Sequence, residues 1–255
     1  MRLDKYLAQN LFASRTKAAR AVAEGRVFIN GRLGKASDEV SAGDDIVVQE
    51  RPISFVSEGG YKLRKALNEF GADVSGLACV DLGASTGGFT DCLLQAGAAV
   101  VYAVDVGRGQ LAPSLCGDPR VCVLDGINVR YLERDIIPGD RIDVVTADLS
   151  FISLKLILPV IARLLDEEGT AYVLVKPQFE CGGIGLDKHG IFKDRHARLK
   201  IVEDIAETAA MLGLQPVDVA VAPLRKNKNV EYVIKFRRAA PGKADEFRKR
   251  VAQLD

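Results

Sequence analysis

The chain is poor in the residues that build metal sites and covalent cross-links. No two of its five cysteines (Cys79, Cys92, Cys116, Cys122, Cys181) form a Cys-x-x-Cys pair, and only His189 and His196 are available to join them as ligands. Neither a zinc site nor a disulfide framework follows from so scattered a set. The cysteines are expected to be small buried apolar residues in a reducing compartment. No apolar run approaches the ~18 residues that a bilayer-spanning helix needs. Met1-Arg2-Leu3-Asp4-Lys5 opens an amphipathic helix with no hydrophobic signal core behind it, so the expected compartment is the cytoplasm. There is no internal repeat and no low-complexity tract. Net charge is nearly absent as well, 35 Lys+Arg against 34 Asp+Glu, so a partner of strong opposite charge is not implied by the whole chain.

What is present belongs to a globular protein. Of 255 residues, 48% are apolar and 27% charged, with 24 glycines and 9 prolines spread throughout, which excludes disorder and collagen. The length suits one large domain plus a smaller one.

The near-zero net charge hides a basic end. Between positions 2 and 35, Arg2, Lys5, Arg15, Lys17, Arg20, Arg26, Arg32 and Lys35 face only Asp4 and Glu24, eight against two, leaving +6. Leu3, Leu7 and Leu11 mark one apolar helix face, and Ser14 caps a second helix that runs through Glu24 with Ala18, Ala19 and Val22 inward, until Gly25 stops it. Strands are expected at 27–29 and 46–48, connected through the turn signals Asn30-Gly31 and Gly43-Asp44. This is a small helix-helix-hairpin unit. Positions 50–60, with Pro52 and the Gly59-Gly60 pair, read as a linker or hinge.

A second domain follows. Strands at 77–82, 100–106, 121–124, 142–148 and 171–176 alternate with helical stretches, which predicts a parallel sheet covered on both faces. A long helix is expected over 194–212, two further strands at 216–222 and 230–236, and a charged helical tail over 241–255.

The first of these strands ends in Asp81-Leu82-Gly83-Ala84-Ser85-Thr86-Gly87-Gly88-Phe89-Thr90 and runs into a helix. Glycines at such a turn let backbone N–H groups approach a ligand closely. The spacing G-x-x-x-G-G is not the dinucleotide G-x-G-x-x-G, and no lysine follows as in a P-loop. Asp105, ending the second strand, can accept both hydroxyls of a ribose, and Asp125, after the third, is placed to meet an adenine amine. An adenosyl ligand without a pyrophosphate is the result, and S-adenosylmethionine is the candidate.

Asp148 and Lys176 end adjacent apolar strands at the carboxyl edge of the sheet, where α/β ligands bind. Charged residues there must find partners or bear a desolvation cost. Glu231, inside the last apolar strand, raises the same question. Lys62 begins a helix with Leu63, Ala66, Leu67 and Phe70 inward, and Lys65 lies one turn further on.

With these residues in view, nearly the whole chain resembles the TlyA-type, hemolysin A-like ribosomal RNA ribose methyltransferases. The resemblance is carried by Arg2-Leu3-Asp4, Ser14-Arg15, Val27-Phe28-Ile29-Asn30-Gly31, the loop from Asp81 to Cys92, Asp148-Leu149-Ser150-Phe151-Ile152-Ser153-Leu154 and Lys176-Pro177-Gln178-Phe179-Glu180. It implies an α/β fold: a Rossmann-like class I methyltransferase with a mostly parallel seven-stranded sheet, preceded by a small α+β S4 RNA-binding domain. The expected division is 1–57 for the S4-like domain, 58–240 for the FtsJ-like methyltransferase domain and 241–255 for the tail.

The same resemblance implies a Lys-Asp-Lys-Glu set serving methyl transfer to a ribose 2′-hydroxyl: Lys62, which the Gly60-Tyr61-Lys62-Leu63 match favours over Lys65, then Asp148, Lys176 and Glu231. Lys176 is assigned to the hydroxyl proton, Asp148 and Glu231 to orienting the two ammonium groups, and Lys62 to the charge developing on the oxygen. Gly83, Ala84, Ser85, Gly87, Phe89, Asp105, Asp125 and Asp148 are implied to bind S-adenosylmethionine, and no metal is expected. Arg2, Arg15, Lys17 and Arg20, with Arg225, Lys226 and Lys228, are implied to contact ribosomal RNA within a subunit. The last three lie in a stretch, 223–238, where six basic residues face only Glu231.

Departures from the family pattern fall at Cys116, where relatives carry Arg, at Asp125-Gly126-Ile127-Asn128, at Gly183 and at Arg225-Lys226-Asn227-Lys228-Asn229, bordering the expected RNA entry. The stretch Gly182-Gly183-Ile184-Gly185 reads as a mobile lid. Two other functions stand beside the enzyme, an RNA-binding protein with an inactive methyltransferase domain and a membrane-lytic protein. The second lacks an obvious insertion segment.

Overall fold

The computed structural model describes residues 1–12, 14–49, 54–224, 226–238 and 244–254. It divides into two compact units, Met1–Ser54 and Phe55–Asp255. In the first, α1 (Leu3–Asn10) and α2 (Arg15–Ala23) precede β1 (Val27–Ile29), β2 (Arg32–Leu33) and β3 (Ile46–Val48). Ser14 caps α2 by accepting from Lys17 N–H, and Gly25 follows at φ +68°. The sheet order is β2-β1-β3, all antiparallel. The hairpin turn is Asn30-Gly31, both at positive φ, as a two-residue connection requires. It joins β1 to the short β2, while β3 pairs on the other side of β1. The Asn30 side chain binds Asp44 and the Asp45 N–H at 2.8 Å, tying the two turns together.

The core of this unit is Leu3, Leu7, Ala18, Ala21, Val27, Ile29 and Val40. Two expected inward positions differ. Leu11 caps the end of α1 and is exposed, and Ala19 is exposed where Ala21 is buried. With only two turns of each helix in contact, the buried stripe is narrower than a period-based face of three residues.

The second unit is built on a seven-stranded sheet ordered β6-β5-β4-β7-β8-β10-β9. Its strands are β4 (Ala78–Leu82), β5 (Val100–Asp105), β6 (Val121–Asp125), β7 (Val144–Ala147), β8 (Thr170–Val175), β9 (Leu214–Val221) and β10 (Tyr232–Arg238). The first five are parallel, and β10 runs antiparallel to both neighbours. Helices cover both faces. On one lie α3 (Gly59–Glu69), α4 (Gly88–Gln95) and α5 (Pro113–Cys116) over Leu63, Leu67, Phe89 and Leu93. On the other lie α6 (Leu158–Leu164), the short α7 (Pro177–Glu180) after β8, α8 (Arg195–Met211) and α9 (Ala244–Ala252). Ile161, Val202, Ile205, Phe247 and Val251 pack beneath α6, α8 and α9. The expected tail is therefore part of this core, with Arg248 paired to Glu207 and Arg250 to Asp218. Among the described residues no helix is long and apolar enough to cross a membrane.

Three further expectations are corrected. Gly59 and Gly60 are not linker but the first turn of α3, which starts three residues before Lys62. A side chain at Gly60 would strike the Phe55 ring at 2.2 Å, so 55–60 packs with the second unit. Glu231 stands one residue before β10 rather than inside a strand. The cysteines divide: Cys79 and Cys92 are buried, and burial pushes both thiols up to about 12, whereas Cys116 is exposed and Cys122 and Cys181 are half-buried. All five are free thiols.

The start of α3 rests directly on that of α4. A Cβ on Gly88 would lie 2.2 Å from Ser57 Oγ, 2.9 Å from Gly60 N and 3.1 Å from Gly59 Cα. Backbone cannot yield there as a flexible side chain would. Gly88→Ala is expected to cost about 1–3 kcal/mol and to lower the thermal midpoint by several degrees, read by calorimetry against Gly76→Ala. Gly76 has open space around its Cα, so that variant carries only the strain of its positive φ.

Candidate active site

The carboxyl ends of β4, β5, β7 and β8 line one cleft. Strand register brings Gly83, Asp105 and Asp148 to one height at this edge, and Lys176 follows β8 two residues further along the same edge. Glu231 arrives differently. Tyr232 pairs with Val175 in the antiparallel β8–β10 ladder, so the residue before Tyr232 lies beside the one after Val175, which is Lys176.

Four ionic side chains form a row here. Lys62 Nζ sits 2.6 Å from Glu231 Oε2 and 4.0 Å from Asp148 Oδ2, and Lys176 Nζ sits 2.6 Å from Asp148 Oδ1. Two cations alternate with two anions, so the group is neutral as a whole. Lys176 also donates to Ser150 Oγ at 2.9 Å, and Gln178 Nε2 donates to Glu231 Oε1 at 3.1 Å. Lys65 is not in the row: its ammonium binds Glu69 and the Val221 carbonyl, both at 2.6 Å. Gly59 is the reason α3 can deliver Lys62 so close to the sheet, for a Cβ there would meet Phe89 at 3.3 Å and Asp148 Oδ2 at 3.4 Å.

Beside the row the cleft has two connected chambers. The larger, about 480 Å³, is lined by Gly83, Ser85, Asp105, Val106, Asn128, Val129, Arg130 and Ile152 among others. The smaller, about 200 Å³, is lined by Ser57, Gly59, the turn from Gly83 to Thr86, Gly88, Phe89 and Lys176. Gly83, Ser85, Asp148 and Ser150 belong to both. Asp105 accepts from Ser85 N–H (2.8 Å) and Gly107 N–H (2.7 Å), one per oxygen, which fixes the carboxylate and leaves each oxygen a free lone pair.

Not every expected cofactor contact faces this space. Gly87 (φ +96°) lies against Leu111 and Leu115, where a Cβ would come within 2.8 and 2.3 Å, so it shapes the turn from behind. Phe89 is 3% exposed and forms the floor. Asp125 accepts from Gly109 N–H at 2.7 Å and is absent from the lining of both chambers, whereas Asn128 and Arg130 line the larger one.

The expected RNA contacts are surface residues. Arg2 forms a two-point contact with Asp4, Arg20 pairs with Glu24, and Arg15 and Lys17 are exposed at the start of α2. Lys226 and Lys228 are exposed, and Arg225 lies outside the described residues. Two more of that basic stretch serve structure: burial pushes the Lys235 ammonium down from its usual value, and Arg238 turns inward to the Ala162 and Leu165 carbonyls, while Arg237 is exposed. The segment that follows the expected lid, 190–193, is fastened. Arg198, buried, holds the Phe192 and Lys193 carbonyls and the Tyr232 hydroxyl, and Asn229 binds Gly190 and Phe192 backbone.

Sequence reasoning assigned no role to Ser150, Gln178 or Glu180. Glu180 accepts from Ser153 Oγ (2.6 Å) and Leu154 N–H (2.7 Å), clamping the segment after β7 to the turn after β8. All three lie within the two quoted motifs, so position in a motif was the available signal.

The FtsJ-like methyltransferase family profile matches residues 55–238 and the S4 domain profile residues 1–46. The chain is 42% identical to the 16S/23S rRNA (cytidine-2′-O)-methyltransferase TlyA of Mycobacterium tuberculosis, covering 92% of this chain and 89% of that one. It is 37% identical to Hemolysin A of Brachyspira hyodysenteriae, covering 92% and 99%. A solved structure from Streptococcus thermophilus that carries the hemolysin name superposes with a TM-score of 0.74 at 34% identity, over 99% of this chain and 94% of that one.

Beneath the cleft Asp81 is fully buried, accepting from Thr90 Oγ1 (2.7 Å) and Thr146 Oγ1 (2.9 Å). Burial pushes its carboxyl up from 3.8 to about 6, against the opposing pull of the two hydroxyls. The folded protein therefore holds this proton over a range where the unfolded chain has released it. The group's contribution to stability is full below about pH 4 and is lost as pH rises through about 6. Asp81→Asn removes that titration. Denaturant unfolding at pH 4 and pH 7 is expected to show wild type losing about 2 kcal/mol relative to the variant between the two.

Proposed function

Since the chain belongs to the FtsJ-like methyltransferase family and carries an S4 domain ahead of that fold, we propose that it methylates ribose 2′-hydroxyls of ribosomal RNA in the cytoplasm, using S-adenosylmethionine. The observation that carries this reading is the Glu231–Lys62–Asp148–Lys176 row standing beside the cleft that the glycine turn after β4 opens.

The residues present fit the donor. Asp105, with a lone pair free on each oxygen, matches a vicinal diol. Val106, Val129 and Ile152 offer apolar walls for a flat base, and Asn128 and Arg130 polar edges. In the smaller chamber the first turns of α3 and α4 present positive ends, which suits a carboxylate. When bound, the donor supplies an electrophilic methyl group on a positively charged sulfur.

The protein's own part is to hold and activate the accepting oxygen. A sugar hydroxyl is a weak nucleophile, so its proton must leave or be shared as the new bond forms. Lys176 Nζ, lining the smaller chamber, is the group placed for this, with Asp148 fixing it from one side. Lys62, second along the row, adds positive charge near the oxygen as that charge develops. Its own position is set by Glu231. The exposed cations Arg15, Lys17, Lys226 and Lys228 supply phosphate contacts.

The test is transfer of labelled methyl from S-adenosylmethionine to purified ribosomal subunits, with the product mapped by resistance of the 2′-O-methylated linkage to alkali. Lys176→Ala is expected to lower turnover by about 10²–10⁴-fold while the fold, checked by thermal melting, is kept. Label on a base rather than a ribose would overturn the reading. Subunit binding without any transfer would make the chain an RNA-binding protein, and release of dye from lipid vesicles would support the lytic one.

A further inference from the structure

Resting on the reading above, we propose that Ser150 is a positioning residue for Lys176: its hydroxyl is the second of two acceptors that leave the amine a single direction in which to meet the sugar oxygen. The argument is one of counting hydrogen-bond directions. Beyond its bond to Cε, the lysine nitrogen has three tetrahedral directions in which to meet partners. The protein supplies two acceptors within hydrogen-bond reach of Lys176 Nζ: Asp148 Oδ1 at 2.6 Å and Ser150 Oγ at 2.9 Å. The Phe179 ring, its centroid 5.9 Å away, bounds the amine on another side. Two of the three directions are thereby taken up and the third is left for the cleft.

With Asp148 alone this direction is undefined. A carboxylate has two oxygens, and an amine bound only to it can rotate about the Cε–Nζ bond or slide between them at little cost. Ser150 removes that freedom. Its side chain has no helix end to cap, unlike Ser153 three residues on, whose hydroxyl caps the following turn and binds Glu180. Ser150 is also exposed and lines both chambers, so its bond to Lys176 is kept at the place where donor and acceptor must meet and where water competes for it.

Wild type, Ser150→Ala and Ser150→Thr are compared in the subunit methylation assay, in donor binding by calorimetry, and by NMR of the ¹⁵N-labelled Lys176 side chain in the unliganded protein. Ser150→Ala is expected to lower kcat by about 10- to 100-fold with KM for RNA and Kd for donor within about threefold of wild type, and to lose slow exchange of the Lys176 Nζ protons. Ser150→Thr keeps the Oγ and is expected to recover both signals. Ser150→Ala turning over within about twofold of wild type, exchange at Nζ unchanged by that variant, or Ser150→Thr as impaired as Ser150→Ala overturns the proposal. So does a wild-type protein that methylates no ribose. That outcome alone also removes the reading the proposal rests on, so wild-type activity separates the two failures.

Discussion

The carboxylate of Asp148 stands between two ammonium groups that would otherwise repel each other. One oxygen takes Lys176 at 2.6 Å, and the other faces Lys62 at 4.0 Å, whose closer partner is Glu231. Two cations side by side in a half-buried cleft would each be pushed toward neutrality or out into solvent. Alternation with two carboxylates lets both stay, and the row as a whole places no net charge at the sheet edge. The rest of the unit can be understood as what holds those four groups in register. Asp148 is fixed because it follows β7, a strand flanked on both sides within the sheet.

The remaining members arrive through three separate devices. Lys176 comes from parallel register, one strand over. Glu231 comes from the reversal of β10, which puts the start of a strand at the edge where all its parallel neighbours end. Lys62 comes from close approach: Gly59, Gly60 and Gly88 allow the first turns of α3 and α4 to touch backbone to backbone and allow α3 to lie against Asp148. The turn after β8 then staples the assembly. Within five residues, Lys176 binds Asp148, Gln178 binds Glu231, Phe179 packs its ring 4.9 Å from that of Phe151, and Glu180 holds Ser153 and Leu154.

The periphery is built on other terms. Gly183 and 226–229 belong to two loops that Asn229 joins through Gly190 and Phe192. Buried Arg198 anchors the same loop to Tyr232 next to Glu231. The exposed Cys116 closes α5 behind Gly87, outside the row.

Strand alternation, the glycine turn and the basic amino-terminal stretch were legible because each depends on local periodicity or on a few adjacent residues. Lys62, Asp148, Lys176 and Glu231 were legible as a set only through resemblance, since their chemistry by itself implies no proximity. What the amino-acid order could not express was distance. Gly59-Gly60 has the same letters whether it is a hinge or a packing surface, and Phe55, Phe89 and Asp148 decide which. Asp125 ends a strand as Asp105 does, yet its carboxylate accepts from Gly109 N–H whereas that of Asp105 accepts from Ser85 N–H in the glycine turn. Ser150 and Gln178 acquire their partners only once β7, β8 and β10 are side by side. The sequence by itself determined which elements form and which residues sit at their ends, because propensity and burial pattern act over a few residues. Tertiary structure alone decided which charges meet and which hydroxyl faces which amine, because those contacts span up to 169 positions and exist only after the sheet has closed.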